Sequence, residues 1–153
     1  MTLKIIRPFP ESIPGKPISH EGILEYEHAV DFRVPNGTPI LAVLEGIVRD
    51  TKSDSDIWGL DPEVSKDANY VITNLGRGMG AEYIHFGKDQ VVVTKGQRVV
   101  PGQVLGFAGY SGFMSEPHVH IGVYNMDSNE FEGRALQFQL TRIKKSHFFL
   151  QSW

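Results

Sequence analysis

The residues of this chain best placed to do chemistry lie in Pro117-His118-Val119-His120. On a β-strand, positions i and i+2 project from one face, so these two imidazoles stand side by side and offer a metal ion nitrogen donors. Two polar residues on a solvent-facing strand have the same spacing, so the other donors in the chain decide between the readings. A catalytic zinc takes three protein ligands from His, Asp or Glu and keeps a fourth position for water. Asp31 sits between Val30 and Phe32 in an apolar run, and its side chain points away from theirs, to a face where a carboxylate must be solvated, paired or metal-bound. His20, in the loop Ser19-His20-Glu21-Gly22, could reach over to that face. His85 falls in the apolar segment Tyr83-Ile84-His85-Phe86, a setting where a lone His is more often a satisfied core residue.

The frame for these donors follows from length and composition. The chain has 153 residues, enough for one sizeable core, and is read as a single domain, 1–153. It has no Cys, which excludes disulfides, thiolate zinc sites, iron–sulfur clusters and thiol nucleophiles and leaves His and carboxylates to hold any transition metal. Fifteen Lys and Arg against eighteen Asp and Glu give a net charge of −3 with the charges scattered, so no nucleic-acid partner is expected. No apolar run approaches about 18 residues, so no membrane span is expected, and Leu3-Lys4-Ile5-Ile6 is too short for the apolar region of an export signal.

Gly and Pro, about one residue in six, punctuate short apolar runs, as in an all-β fold rich in turns. Alternation predicts strands at Ala29 to Val34, Ile47 to Arg49, Val71 to Thr73, Gln90 to Val93, Val104 to Phe107 and Val119 to Val123. Helical periodicity is weak. Even residues 134–144 read as strand, because Phe138 and Leu140 alternate with Gln137, Gln139 and Thr141. Gly37 to Val48 and Gly96 to Gly106 resemble each other in their turn glycines and apolar pairs, which predicts an internal pseudo-repeat. Residues 51–69 are acidic and aperiodic and read as a long loop able to wall a cleft.

Taken together, Ser19-His20, Ala29-Val30-Asp31-Phe32, Pro35 to Ile40, Gly46-Ile47-Val48, Asn69 to Ile72, Tyr83-Ile84-His85, Gly96 to Gly106, and Gly109-Tyr110-Ser111-Gly112 leading to Pro117-His118-Val119-His120 resemble the lysostaphin/LytM-type zinc endopeptidases. The likeness runs from about residue 19 to residue 123 and leaves 124–153 as an extension. It implies a compact antiparallel β-sandwich, a duplicated hybrid motif; the extension, from its own aromatics Phe148, Phe149 and Trp153, is expected to pack back on it. It also implies one Zn2+ per chain held by His20, Asp31 and His120, with His118 and His85 as the catalytic pair. The commonest family pattern places the first His four positions before the Asp, where this chain has Glu27. A longer variant with Ser-His before a loop matches His20; Glu27, which shares a strand face with Asp31, is the second choice, and His28 faces the other way.

The resemblance further implies hydrolysis of peptide bonds in peptidoglycan and a place in the cell envelope or outside the cell. No H-E-x-x-H occurs, so the usual glutamate base is missing and His118 is the expected base, with His85 orienting the water or stabilising the oxyanion. Tyr83 is a further candidate oxyanion donor, with a structural role the stronger expectation. Residues 51–69 and Phe113 to Glu116 are expected to shape the subsites. Two rival readings are an inactive member of the same fold serving as a binding module, and a biotinyl-carrier or phosphotransfer hybrid barrel. The second needs an exposed lysine in a tight turn that neither repeat shows.

Overall fold

The computed structural model describes residues 3–6, 13–15, 29–125 and 138–141. Its strands in chain order are β1 (Leu3–Ile6), β2 (Ile13–Gly15), β3 (Val30–Arg33), β4 (Pro39–Leu41), β5 (Gly46–Lys52), β6 (Trp58–Gly59) and β7 (Tyr70–Gly76). They continue as β8 (Met79–Ile84), β9 (Phe86–Val91), β10 (Arg98–Val99), β11 (Val104–Ala108), β12 (Gly112–Phe113), β13 (His118–Asn125) and β14 (Phe138–Thr141). A seven-stranded sheet runs β10-β5-β7-β8-β13-β3-β2, and a three-stranded sheet runs β4-β11-β9. No helix among the described residues is long and apolar enough to cross a membrane.

One apolar cluster joins the two sheets, with Phe32, Val71, Tyr83, Val119, Ile121 and Val123 from the larger and Ile40, Phe86 and Leu105 from the smaller. Each fully buried Val or Ile on β13 contributes roughly 1.5–3 kcal/mol. A one-residue slip would turn all three outward, so register is strongly held. The same alternation turns His118 and His120 to the opposite, outer face of the large sheet, and turns Asp31 outward while Phe32 goes into the core.

The pseudo-repeat is present as reciprocal pairing. The first segment supplies β4 and β5, and the second supplies β10 and β11. β4 pairs with β11 and β5 with β10, both antiparallel. Gly37 and Gly96 open the two segments at φ of 83° and 90°, a left-handed turn conformation that glycine adopts without steric cost. Two short pairings, β1 with β14 and β6 with β12, are parallel, which alternation within single strands cannot foretell.

Residues 51–69 are more ordered than their composition predicts. Thr51 and Lys52 end β5, Trp58–Gly59 pairs with β12, and Pro62–Asp67 form a 3-10 helix. Asp61 caps that helix by accepting from the Glu63 N–H at 3.0 Å, and Pro62 suits its first turn. Asn69 closes the segment from inside the core. Its amide oxygen accepts from Ser55 N–H at 3.1 Å, and its Nδ2 donates to the Ser55 and Phe86 carbonyls at 2.8 and 3.1 Å. Replacing Asn69 with Ala removes three buried hydrogen bonds and is expected to destabilise the fold by about 3 kcal/mol. Urea unfolding checks this; a shift under about 1 kcal/mol would show that the network is dispensable.

Candidate active site

Strand pairing brings the outward-facing donors together. Antiparallel β3 and β13 set Asp31 directly opposite His120 and Arg33 opposite His118. Directly opposed residues share a face with their Cβ atoms about 4.5–5.5 Å apart, so the carboxylate and imidazole meet without either strand bending. Asp31 Oδ1 lies 2.9 Å from His120 Nδ1, and Asp31 Oδ2 lies 3.5 Å from His118 Nε2. His118 is oriented from its other nitrogen, Nδ1, which is 2.9 Å from the Glu116 carbonyl.

His85 arrives from a different direction. It stands between β8 and β9 at φ 80°, a left-handed conformation uncommon for a residue with a side chain. Both the His85 and Phe86 N–H groups donate to the Asn69 carbonyl, at 3.0 and 3.4 Å, and the His85 carbonyl accepts from Gly109 N–H at 3.0 Å. Its Nδ1 lies 2.8 Å from the Ser111 carbonyl, an acceptor, so Nδ1 carries the proton. Ser111 is itself fixed, its hydroxyl donating to the Phe86 carbonyl at 2.8 Å and accepting from Asn69 N–H at 3.0 Å. The His85 ring meets that of His118 edge-on, centroids 4.3 Å apart.

These environments separate the imidazoles electrostatically. Burial pushes His85 down to about 3, helped by neighbouring His118, so it is neutral near pH 7. Burial acts the same way on His120, but its bonds to Asp31 and Glu82 outweigh this and raise it to about 9. His85 yields a test with a definite sign. Between pH 3 and 6.5 the unfolded chain binds a proton at His85 that the folded chain rejects, so stability falls as pH falls through that window. From pH 6.5 to 4, wild type is expected to lose about 3 kcal/mol more than His85→Gln. Urea titrations in chelator would measure it, and parallel losses in both proteins would refute the buried neutral imidazole.

Tyr83 is not at the site. It is fully buried in the core, where its hydroxyl accepts from Val43 N–H at 3.0 Å. The face rule fails because the chain leaves β8 before His85 and reverses its φ. Glu82 and Tyr124, which alternation does not single out, do reach the site. Glu82 Oε1 lies 3.4 Å from His120 Nε2 and accepts from the Tyr124 hydroxyl at 2.6 Å. His20, Glu27, His28 and His147 lie outside the described residues.

Among the described residues no three His, Asp or Glu side chains form a ready metal site. Asp31 and His120 nevertheless fit half of one. Zn–N and Zn–O distances of about 2.0–2.2 Å put two ligands of a tetrahedral ion roughly 3.3–3.6 Å apart, so Asp31 Oδ1 and His120 Nδ1, 2.9 Å apart in a hydrogen bond, need only separate by about half an ångström to admit one.

The all-β sandwich thus gathers a carboxylate and imidazoles on the outer face of its larger sheet. This chain belongs to Peptidase family M23, whose sequence profile matches residues 25–137. It is 31% identical over 93 residues to the peptidoglycan DD-endopeptidase ShyA of Vibrio cholerae, a stretch covering 61% of this chain and 19% of ShyA. The match therefore spans about a fifth of that relative's length. The catalytic domain of lysostaphin from Staphylococcus simulans shares the fold, with TM-score 0.59 at 23% identity over 82% of this chain and 88% of that one. A zinc-containing peptidase from Vibrio cholerae has TM-score 0.50 at 28% identity over 63% of this chain and 26% of that one.

Proposed function

We propose that this chain is a zinc metalloendopeptidase that hydrolyses peptide bonds in the stem or cross-bridge peptides of peptidoglycan, acting in the cell envelope or outside the cell. The observation that carries the reading is the convergence of Asp31, His118 and His120 across the β3–β13 pair, with His85 edge-on to His118. Membership of Peptidase family M23 supports it, as do the peptidoglycan substrate in the name of ShyA and the zinc in the Vibrio peptidase. In this reading Asp31 and His120 hold one zinc ion per chain together with His20, and Glu27 is the alternative third donor.

Bound there, zinc acts as a Lewis acid and lowers the pKa of a coordinated water from 15.7 to about 7. The chain's own groups do the rest. His118, its Nδ1 held by the Glu116 carbonyl, keeps Nε2 on the Asp31 side, takes a proton from the attacking water and returns it to the departing amine. His85, neutral with its proton on Nδ1, keeps Nε2 as an acceptor, which suits orienting that water and not donating to an oxyanion. The segment 58–67 packs on β12, one residue beyond the Ser111 that anchors His85, and so stands where it can shape a subsite.

The test is digestion of purified peptidoglycan and of oligoglycine by zinc-loaded protein, with mass spectrometry of the products. New amino termini, lost in chelator and restored by zinc, are expected. Folded, zinc-loaded protein that binds peptidoglycan without cutting it would establish a binding module instead.

A further inference from the structure

We infer that Glu82 is a positioning residue for His120, braced by Tyr124, and that it fixes which imidazole nitrogen is free to bind the ion. The inference rests on the reading of His120 as a metal ligand.

The argument begins with register. Glu82 pairs with Gly122 across β8 and β13, one same-face step along from His120, so its side chain emerges beside the imidazole. Asp31 occupies the Nδ1 side of the ring, where His118 also converges on the same carboxylate. Glu82 occupies the Nε2 side, with Oε1 3.4 Å away. Without an ion both carboxylates face ring N–H groups, Asp31 at Nδ1 and Glu82 at Nε2; an ion held between Nδ1 and Asp31 would leave one ring proton, on Nε2, where Glu82 can only accept it. Metal-binding histidines commonly pass their second N–H to a carboxylate in this way, which fixes both tautomer and ring orientation.

The brace is built into the sequence of β13. Tyr124 lies four residues beyond His120 on the same face, yet its hydroxyl donates to Glu82 Oε1 at 2.6 Å. It gets there by lying back over Gly122. A Cβ on Gly122 would stand 2.3 Å from the Tyr124 hydroxyl oxygen and 2.6 Å from two ring carbons. Only glycine leaves that path open, which gives Gly122 a reason to interrupt an otherwise bulky strand. Glu82, its side chain 13% exposed, is thereby held in one orientation between a phenol and an imidazole.

The test is zinc affinity by chelator competition, with the visible spectrum of the cobalt-substituted protein, in wild type, Glu82→Ala, Glu82→Gln and Tyr124→Phe. Glu82→Ala is expected to weaken zinc binding 10–100-fold and alter the cobalt spectrum. Glu82→Gln, which keeps an accepting oxygen and nearly the same shape, is expected to recover part of the loss, and Tyr124→Phe to show a smaller one. Wild-type affinity and an unchanged cobalt spectrum in Glu82→Ala, or in Glu82→Gln together with Tyr124→Phe should the alanine variant not fold, would overturn the role of Glu82 alone. A wild type that binds no zinc would instead overturn the reading of His120 beneath it.

Discussion

Replacing His120 with Ala is expected to abolish zinc binding and lower peptide hydrolysis by on the order of 10⁴-fold or more, because the water then returns toward its bulk acidity. His120 is the ring directly opposite Asp31, and His85 is committed through Nδ1 to the Ser111 carbonyl. Asp31→Asn should give a similar loss with little change in shape, since it removes the anionic donor and keeps the strand pairing. Metal analysis of both variants beside wild type, on protein shown to be folded, checks the effect. Retention of about one zinc per chain in His120→Ala would refute it.

His118→Ala is expected to separate the chemistry from the metal. The imidazole faces Asp31 across 3.5 Å through Nε2 and rests on the Glu116 carbonyl, so its removal leaves Asp31 and His120 in register. Zinc content should stay near wild type while kcat falls about 10²–10⁴-fold, the usual contribution of a positioned general base. A change of kcat under about threefold would move the base elsewhere, with His85 next in line through its 4.3 Å ring contact.

What the sequence revealed of this site followed the period of a strand. His118 and His120 share a face and Asp31 opposes Phe32 because alternation is local, and all three stand where that rule puts them. That Asp31 meets His120 depends on β3 pairing with β13 across most of the chain, which no local pattern encodes; the family likeness supplied it. Glu82 went unseen for the same reason, since only the β8–β13 register brings it to His120. Tyr83 is structural, the stronger of its two expectations; the donor alternative fails because alternation does not carry through His85, where the backbone turns left-handed. The Asp61-Pro62 pair was a readable helix start inside a segment whose acidity made it look like plain loop. The reciprocal pairing of the two glycine-bounded segments was legible because each repeats one turn chemistry.

The central claim is that one ion joins Asp31 and His120 to a third donor earlier in the chain. Anomalous diffraction at the zinc edge, from crystals grown with one equivalent of zinc, tests it most directly. The expected result is a single peak within about 2.0–2.2 Å of an Asp31 carboxylate oxygen and His120 Nδ1, with His20 completing the protein ligands. A peak that touches neither Asp31 nor His120, or none in zinc-loaded crystals, would contradict it.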